Sequence, residues 1–195
     1  MHLIEPYFAW RNYYTAETDA QSPFYGREYS EFEFHHKVYN YFIHPQWDEF
    51  GSSTLYAKII FADYDDSCAI VELIGEWNDT LYNDIMLFKR ELIDPMMKRG
   101  IHKFVLIGEN VLNFHGSDDD YYMEWQEECM DEGGWIAAFN FQQHVREEMS
   151  QFGLYRYMFY DTPFDEVNWR KHKPEHLVQI TEQLILRQGR VKGFE

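Results

Sequence analysis

The sequence predicts an α/β protein: a mixed β-sheet with helices packed on it, in the order β-β-α-β-α-β-α-β-α, preceded by an aromatic-rich N-terminal extension. Three observations carry this prediction. Short β-rich runs alternate with helical periodicities from Leu55 onward. The first two runs are separated only by a turn-forming stretch, Asp63-Tyr64-Asp65-Asp66-Ser67, so they pair as a hairpin. The later runs are each followed by a helix, which implies parallel strands joined by crossovers.

The elements follow in order. Residues 1–52 hold fifteen aromatic side chains, too many to leave in water, so they pack on the main domain or on a second subunit. Phe32-Glu33-Phe34 alternates like a strand, and Tyr39-Asn40-Tyr41 continues the period less cleanly. Residues 53–195 form the α/β domain. Leu55–Phe61 and Cys68–Ile74 are the hairpin strands, the second closed by Gly75. Asn78, Asp79 and Thr80 offer helix-capping side chains, and Leu81, Ile85, Phe88, Leu92 and Met96 form one helical face. Pro95 loosens the last turn and Gly100 ends it. A short strand, His102–Ile107, precedes a helix over 118–132 that Gly133-Gly134 breaks. Trp135–Phe139 is a strand, Phe141, Val145, Met149 and Phe152 mark a helix stopped by Gly153, and Tyr155–Tyr160 is a last strand. A final helix covers 174–187.

Charge limits the function classes. The formal net charge is −17, from 34 Asp and Glu against 17 Lys and Arg, so the surface repels phosphate backbones and anionic membrane faces. Neither a nucleic-acid nor a membrane partner is expected. The N-terminal stretch MHLIEPYFAWRN lacks the basic, apolar and small-residue succession of a signal peptide. Cys68 and Cys129 form no CxxC pair and read as buried reduced thiols. A cytoplasmic protein is expected. The nine histidines include no HExxH and no Cys/His cluster, so neither a metal nor another cofactor is expected. There is no GxSxG elbow, P-loop or GxGxxG fingerprint, and no catalytic residue is assigned.

The candidate site is the corner His115-Gly116-Ser117-Asp118, between a strand and an acidic helix. Ser117 suits a helix N-cap, with Asp118, Asp119 and Asp120 in the first turn favouring the helix dipole. Between Lys103 and Arg146 there is no Lys or Arg but nine acids, including Glu124, Glu127 and Glu128. This acidic face is either solvated or a docking surface for a basic partner. That partner includes the chain's own basic C-terminal segment, with Arg170, Lys171, Lys173, Arg187, Arg190 and Lys192.

Several local patterns resemble the STAS domain, shared by anti-sigma-factor antagonists and the cytosolic part of sulfate transporters. Val71-Glu72-Leu73-Ile74-Gly75-Glu76-Trp77-Asn78 looks like the family's strand ending in glycine before the first helix. Gly100–Ile107 is similar to its next strand, and Phe114-His115-Gly116-Ser117 falls where the family has an apolar residue, an Asp and Ser before the second helix. Gly134–Phe139 and Val145–Leu154 continue the likeness. The resemblance implies a non-catalytic regulatory module. Ser117 would be phosphorylated by a partner kinase that is also an anti-sigma factor, and phosphorylation would release the pair. The family's Asp is His115 or Gly116 here, and the Gly that often follows the Ser is replaced by aspartate. Two other readings stand beside it. One is a small-ligand carrier or enzyme with a pocket between extension and sheet; the other is a homodimer or larger homo-oligomer joined through the aromatic extension.

Overall fold

The computed structural model describes residues 4–192, with side chains described through residue 189. Among its described residues the extension contributes a small antiparallel hairpin, β1 (Lys37–Val38) and β2 (Tyr41–Phe42), and a single antiparallel bridge from Asp48 to Ala57. The expected strand at Phe32-Glu33-Phe34 is absent: that segment is irregular and Phe32 is exposed. The main sheet has four strands in the order β3 (Leu55–Asp63), β4 (Cys68–Asn78), β5 (Lys103–His115), β6 (Trp135–Phe139). β3 and β4 form the predicted antiparallel hairpin, and β4–β5 and β5–β6 are parallel, so the sheet is mixed as the alternation requires.

Two strands run further than the sequence suggests. Gly75 lies inside β4, at φ 118°, because the Thr54 carbonyl oxygen occupies the space a Cβ would need. The chain passes through irregular pairings there and continues to Asn78. β5 likewise continues past Ile107 to His115, pairing with β4 as far as Asn78↔His115. The expected last strand, Tyr155–Tyr160, is reduced to a 3₁₀ turn (Leu154–Arg156) and one parallel bridge between Ala137 and Phe159.

The helix after β4 is broken into α1 (Asp79–Tyr82), α2 (Asp84–Phe88), a π-helical turn (Lys89–Ile93) and α3 (Asp94–Met97). Asn83, at φ 53°, separates the first two. That break rotates Leu81 out of the face it was expected to share: it is 70% exposed, while Ile85, Phe88, Leu92 and Met96 are buried. Pro95 supplies no N–H to the turn before it, and the Asp94 N–H bonds back to Lys89, five residues earlier. The remaining helices are α4 (Asp120–Asp131), α5 (Gln143–Phe152), α6 (Thr162–Asp165) and α7 (Pro174–Lys192), with a second 3₁₀ turn at Trp169–Lys171.

Alternation along the strands sorts the core into two layers. Val71, Leu73, Phe104 and Leu106 meet Phe88, Leu92, Trp125, Val145 and Met149 on one face. Ile70, Val105, Ile107 and Phe139 meet Trp10, Phe164, Trp169 and Leu177 on the other. The extension therefore packs on the same sheet as the helices. Tyr7, Trp10 and Trp169 interlock edge to face, with ring centroids 4.7–5.4 Å apart. Asp48, fully buried, receives Arg27 (3.1 Å), Tyr29 (2.7 Å) and Lys58 of β3 (3.1 Å).

Candidate functional site

β4 and β5 are adjacent and parallel, so their carboxyl ends and the helix starts that follow share one edge of the sheet, where α/β proteins commonly place their sites. Buried acids build this edge. The Asn78 side chain accepts from the Leu81 N–H at 2.9 Å and caps α1, as its residue type predicts. Asp79 accepts from three donors: Tyr122 Oη of α4 at 2.6 Å, Ile85 N at 2.8 Å and Trp77 Nε1 at 3.1 Å. Asp84 accepts from the Asn78 N–H at 2.8 Å. Burial pushes the Asp79 carboxyl up to about 6, and the three donors pull it part of the way back.

The corner after β5 rests on this frame. The Phe114 N–H donates to Glu148 at 3.0 Å, and His115 Nε2 lies 3.3 Å from Glu76. Gly116 is packed so closely against the Phe152 ring that a Cβ would come within 2.5 Å of it. Its carbonyl accepts from Thr80 Oγ1 at 3.1 Å, tying the corner to α1.

Ser117 is exposed but is not the cap. α4 starts at Asp120 and Asp119 holds the N-cap position, without a side-chain cap bond. The Asp119 carboxylate turns away instead, to the Tyr157 hydroxyl and to Arg156 at 3.5 Å. The extra residues arise because Gly116 anchors the chain before the helix can begin. Asp118 and Asp120 are exposed.

The acidic face is only partly available. Glu124 receives two bonds from Arg90, at 2.8 and 2.9 Å, and Glu128 receives Lys89 Nζ at 2.7 Å. The Arg90 guanidinium holds the Glu124 carboxyl below the ordinary glutamate range. Lys89 is fully buried beneath these acids and also donates to Asp94 at 2.6 Å. Glu127 stays exposed. The expectation that the chain's own basic segment covers this face does not hold for the described residues. α7 packs on the opposite side of the sheet from α4, and Arg170 binds Glu109 at 2.6 Å. The side chains of Arg190 and Lys192 lie outside the described residues.

Sequence reasoning missed Leu81, Tyr82 and Met123, which are 70%, 45% and 41% exposed on α1 and α4 beside the corner. The signal for Leu81 and Tyr82 was the run Asn78–Asp84, whose repeated Asn and Asp residues mark a turn inside the supposed helix; no local pattern marks Met123. Among the described residues no group of three or more His, Cys, Asp or Glu could hold a metal ion, and no helix is long and apolar enough to cross a membrane.

No protein-family model matches the chain, and no curated protein matches it. Among solved structures it is similar to the crystal structure of a Thermotoga maritima protein, TM1081, described as a candidate anti-sigma factor antagonist. The identity is 21%, over 54% of this chain and 85% of that one, with a TM-score of 0.40. It is also similar to the NMR structure of TM1081, at 18% identity over 68% of this chain and 90% of that one, with a TM-score of 0.39.

Proposed function

We propose that this chain is a non-catalytic regulatory module that binds another protein through the corner at Ser117 and the start of the acidic helix α4. The observation that carries the reading is the idle exposure of Ser117. Its hydroxyl caps no helix, yet it sits beside a corner fixed by Gly116 and Thr80 and flanked by exposed Leu81 and Met123. Exposed apolar side chains supply contact area and Asp118, Asp120 and Glu127 supply charge, which fits a partner with a basic, partly apolar surface. An anti-sigma-factor-like kinase is one such partner and a basic protein another. A phosphate on Ser117 would add charge to a loop already holding Asp118 and Asp120, changing recognition without ordering new structure.

The test is capture from native lysate with wild-type, Ser117→Ala, Ser117→Asp and Leu81→Asp baits, read by mass spectrometry. The expected result is one partner held by the wild-type and Ser117→Ala baits and lost from the other two. Equal capture by all four baits would move the interface away from the corner. Because Ser117 is not a cap, Ser117→Ala is expected to change stability by no more than about 0.5 kcal/mol in urea unfolding. A loss near the ~1 kcal/mol of a removed cap would contradict this.

A further inference from the structure

We infer that the chain binds a small, uncharged, mainly apolar molecule in the cavity beneath the β1–β2 hairpin, independently of the corner reading. The cavity has a volume of about 360 Å³ and lies between the extension and the main sheet. Val38 and Ile43 form its wall on the extension side, and Ile74 of β4 and Leu112 of β5 form it on the sheet side. This volume lies at the lower end of the range for small-molecule sites. The buried apolar residues around it, Val38, Ile43 and Ile74, belong to a separate small cluster with Trp47 and Tyr56, outside the two main core layers. The cavity is thus not a packing defect of either layer.

Its chemistry selects the ligand. No Lys, Arg, Asp or Glu lines it, so a charged group entering would be desolvated without a counter-charge. Two amide side chains do line it, Asn110 and Gln142. The Gln142 amide N–H donates to the Glu109 carbonyl at 3.4 Å, which leaves its side-chain oxygen as an acceptor. A ligand with one hydroxyl or amide group at that end and an apolar body of one or two rings matches this distribution.

The hairpin over the cavity is held in a costly conformation. Tyr39, its first turn residue, has φ 53°, a region disfavoured for a bulky side chain. Its hydroxyl accepts from Asn113 Nδ2 of β5 at 2.9 Å, latching the hairpin to the sheet. Tyr39 and Leu112 both remain exposed at the rim, 54% and 38%, so the mouth of the cavity is open to solvent. Strain of this kind persists where the surrounding structure maintains it, and it concentrates at ligand sites.

The test is a fluorescence titration with two neutral probes, N-phenyl-1-naphthylamine and 2-naphthol. Wild-type protein is expected to give saturable binding of one probe per chain with a blue-shifted emission. Leu112→Trp, which fills the rim without entering either main core, is expected to weaken binding at least tenfold. Leu186→Trp, on exposed α7 away from the cavity, is expected to leave it unchanged. Near-ultraviolet circular dichroism of both variants reports whether the fold is intact. No saturable binding of either probe overturns the inference. So does equal affinity in folded Leu112→Trp, equal loss in both variants, or one probe per two chains with a dimer in light scattering, which would place a second copy over the cavity.

Discussion

Asp79→Ala is expected to lower the unfolding free energy by about 4 kcal/mol. The substitution removes one carboxylate and strands three donors: the Tyr122 hydroxyl, the Trp77 indole N–H and the Ile85 amide. Tyr122 and Trp77 are 0% and 1% exposed, so water cannot replace the lost acceptor. A buried donor left unmade costs roughly 1–3 kcal/mol, which puts the gross sum for the three at about 3–9 kcal/mol. Burying the carboxylate is itself unfavourable, as its raised pKa shows, and deleting it recovers part of the loss. Asp79→Asn keeps one oxygen acceptor but aims an amide N–H₂ at a donor, so it is expected to cost about half as much. Urea unfolding followed by tryptophan fluorescence measures both, and a loss below about 1 kcal/mol for Asp79→Ala would show that the network is not maintained in solution. The consequence extends to the corner. Asp79 joins the end of β4 to α4 through Tyr122, so its loss also loosens the segment carrying Leu81 and Ser117, and capture of a partner should fall with stability.

This network also marks the limit of what the sequence makes legible. Local signals read well. The hairpin turn between β3 and β4, the Asn78 cap, the buried face from Ile85 to Met96 and the stop at Gly153 all depend on neighbours within a few residues. The expectations fail where a left-handed residue or a distant partner decides. Leu81 lost its phase because Asn83 adopts a left-handed conformation between two helices. Gly108-Glu109-Asn110 reads as the end of a strand, yet β5 continues because β4 remains beside it to pair with. Ser117 has the right residue type for a cap, but the packing of Gly116 on Phe152 delays the helix to Asp120. The acidic run was read without Lys89 and Arg90, which lie more than thirty residues earlier and neutralise two of its members. For the candidate site, the sequence therefore located the corner and its exposed serine. The apolar surface beside it and the internal pairing of Glu124 and Glu128 required the fold.

The second large effect is expected from pH, through Glu72. This residue sits in the middle of β4, 1% exposed, on the face covered by the extension. It accepts the Tyr7 N–H at 2.7 Å and lies 4.0 Å from Arg170, with Glu109 nearby as a like charge. Burial outweighs the Tyr7 bond and the Arg170 attraction, and the carboxyl is pushed from 4.5 up to about 7. The folded protein therefore holds this proton more tightly than the unfolded chain does. Its contribution to stability is fully present below about pH 4.5 and is lost as pH rises through 7, the reverse of an ion-paired carboxylate. A shift of this size corresponds to about 3 kcal/mol across the window. Asp79, raised to about 6, changes in the same direction over a lower range. Asp94 and Glu124, held low by Lys89 and Arg90, act oppositely, but below their ordinary values and outside this window. Wild-type protein is thus expected to be more stable at pH 5 than at pH 8. Easing of self-repulsion in this acidic chain adds to that difference without involving Glu72. Glu72→Gln separates the two: its amide oxygen can still accept the Tyr7 N–H, but it carries no titrating proton. The variant is expected to match wild type near pH 5, to exceed it by about 2 kcal/mol at pH 8, and to show a shallower slope between. Hydrogen exchange at the Tyr7 amide should follow, with protection falling toward pH 8 in wild type, relative to the intrinsic exchange rate, and holding in the variant. Identical pH slopes for the two proteins would place the titration elsewhere. A difference confined to this window would identify Glu72 as the group that ties the extension to the sheet more firmly in acid than in base.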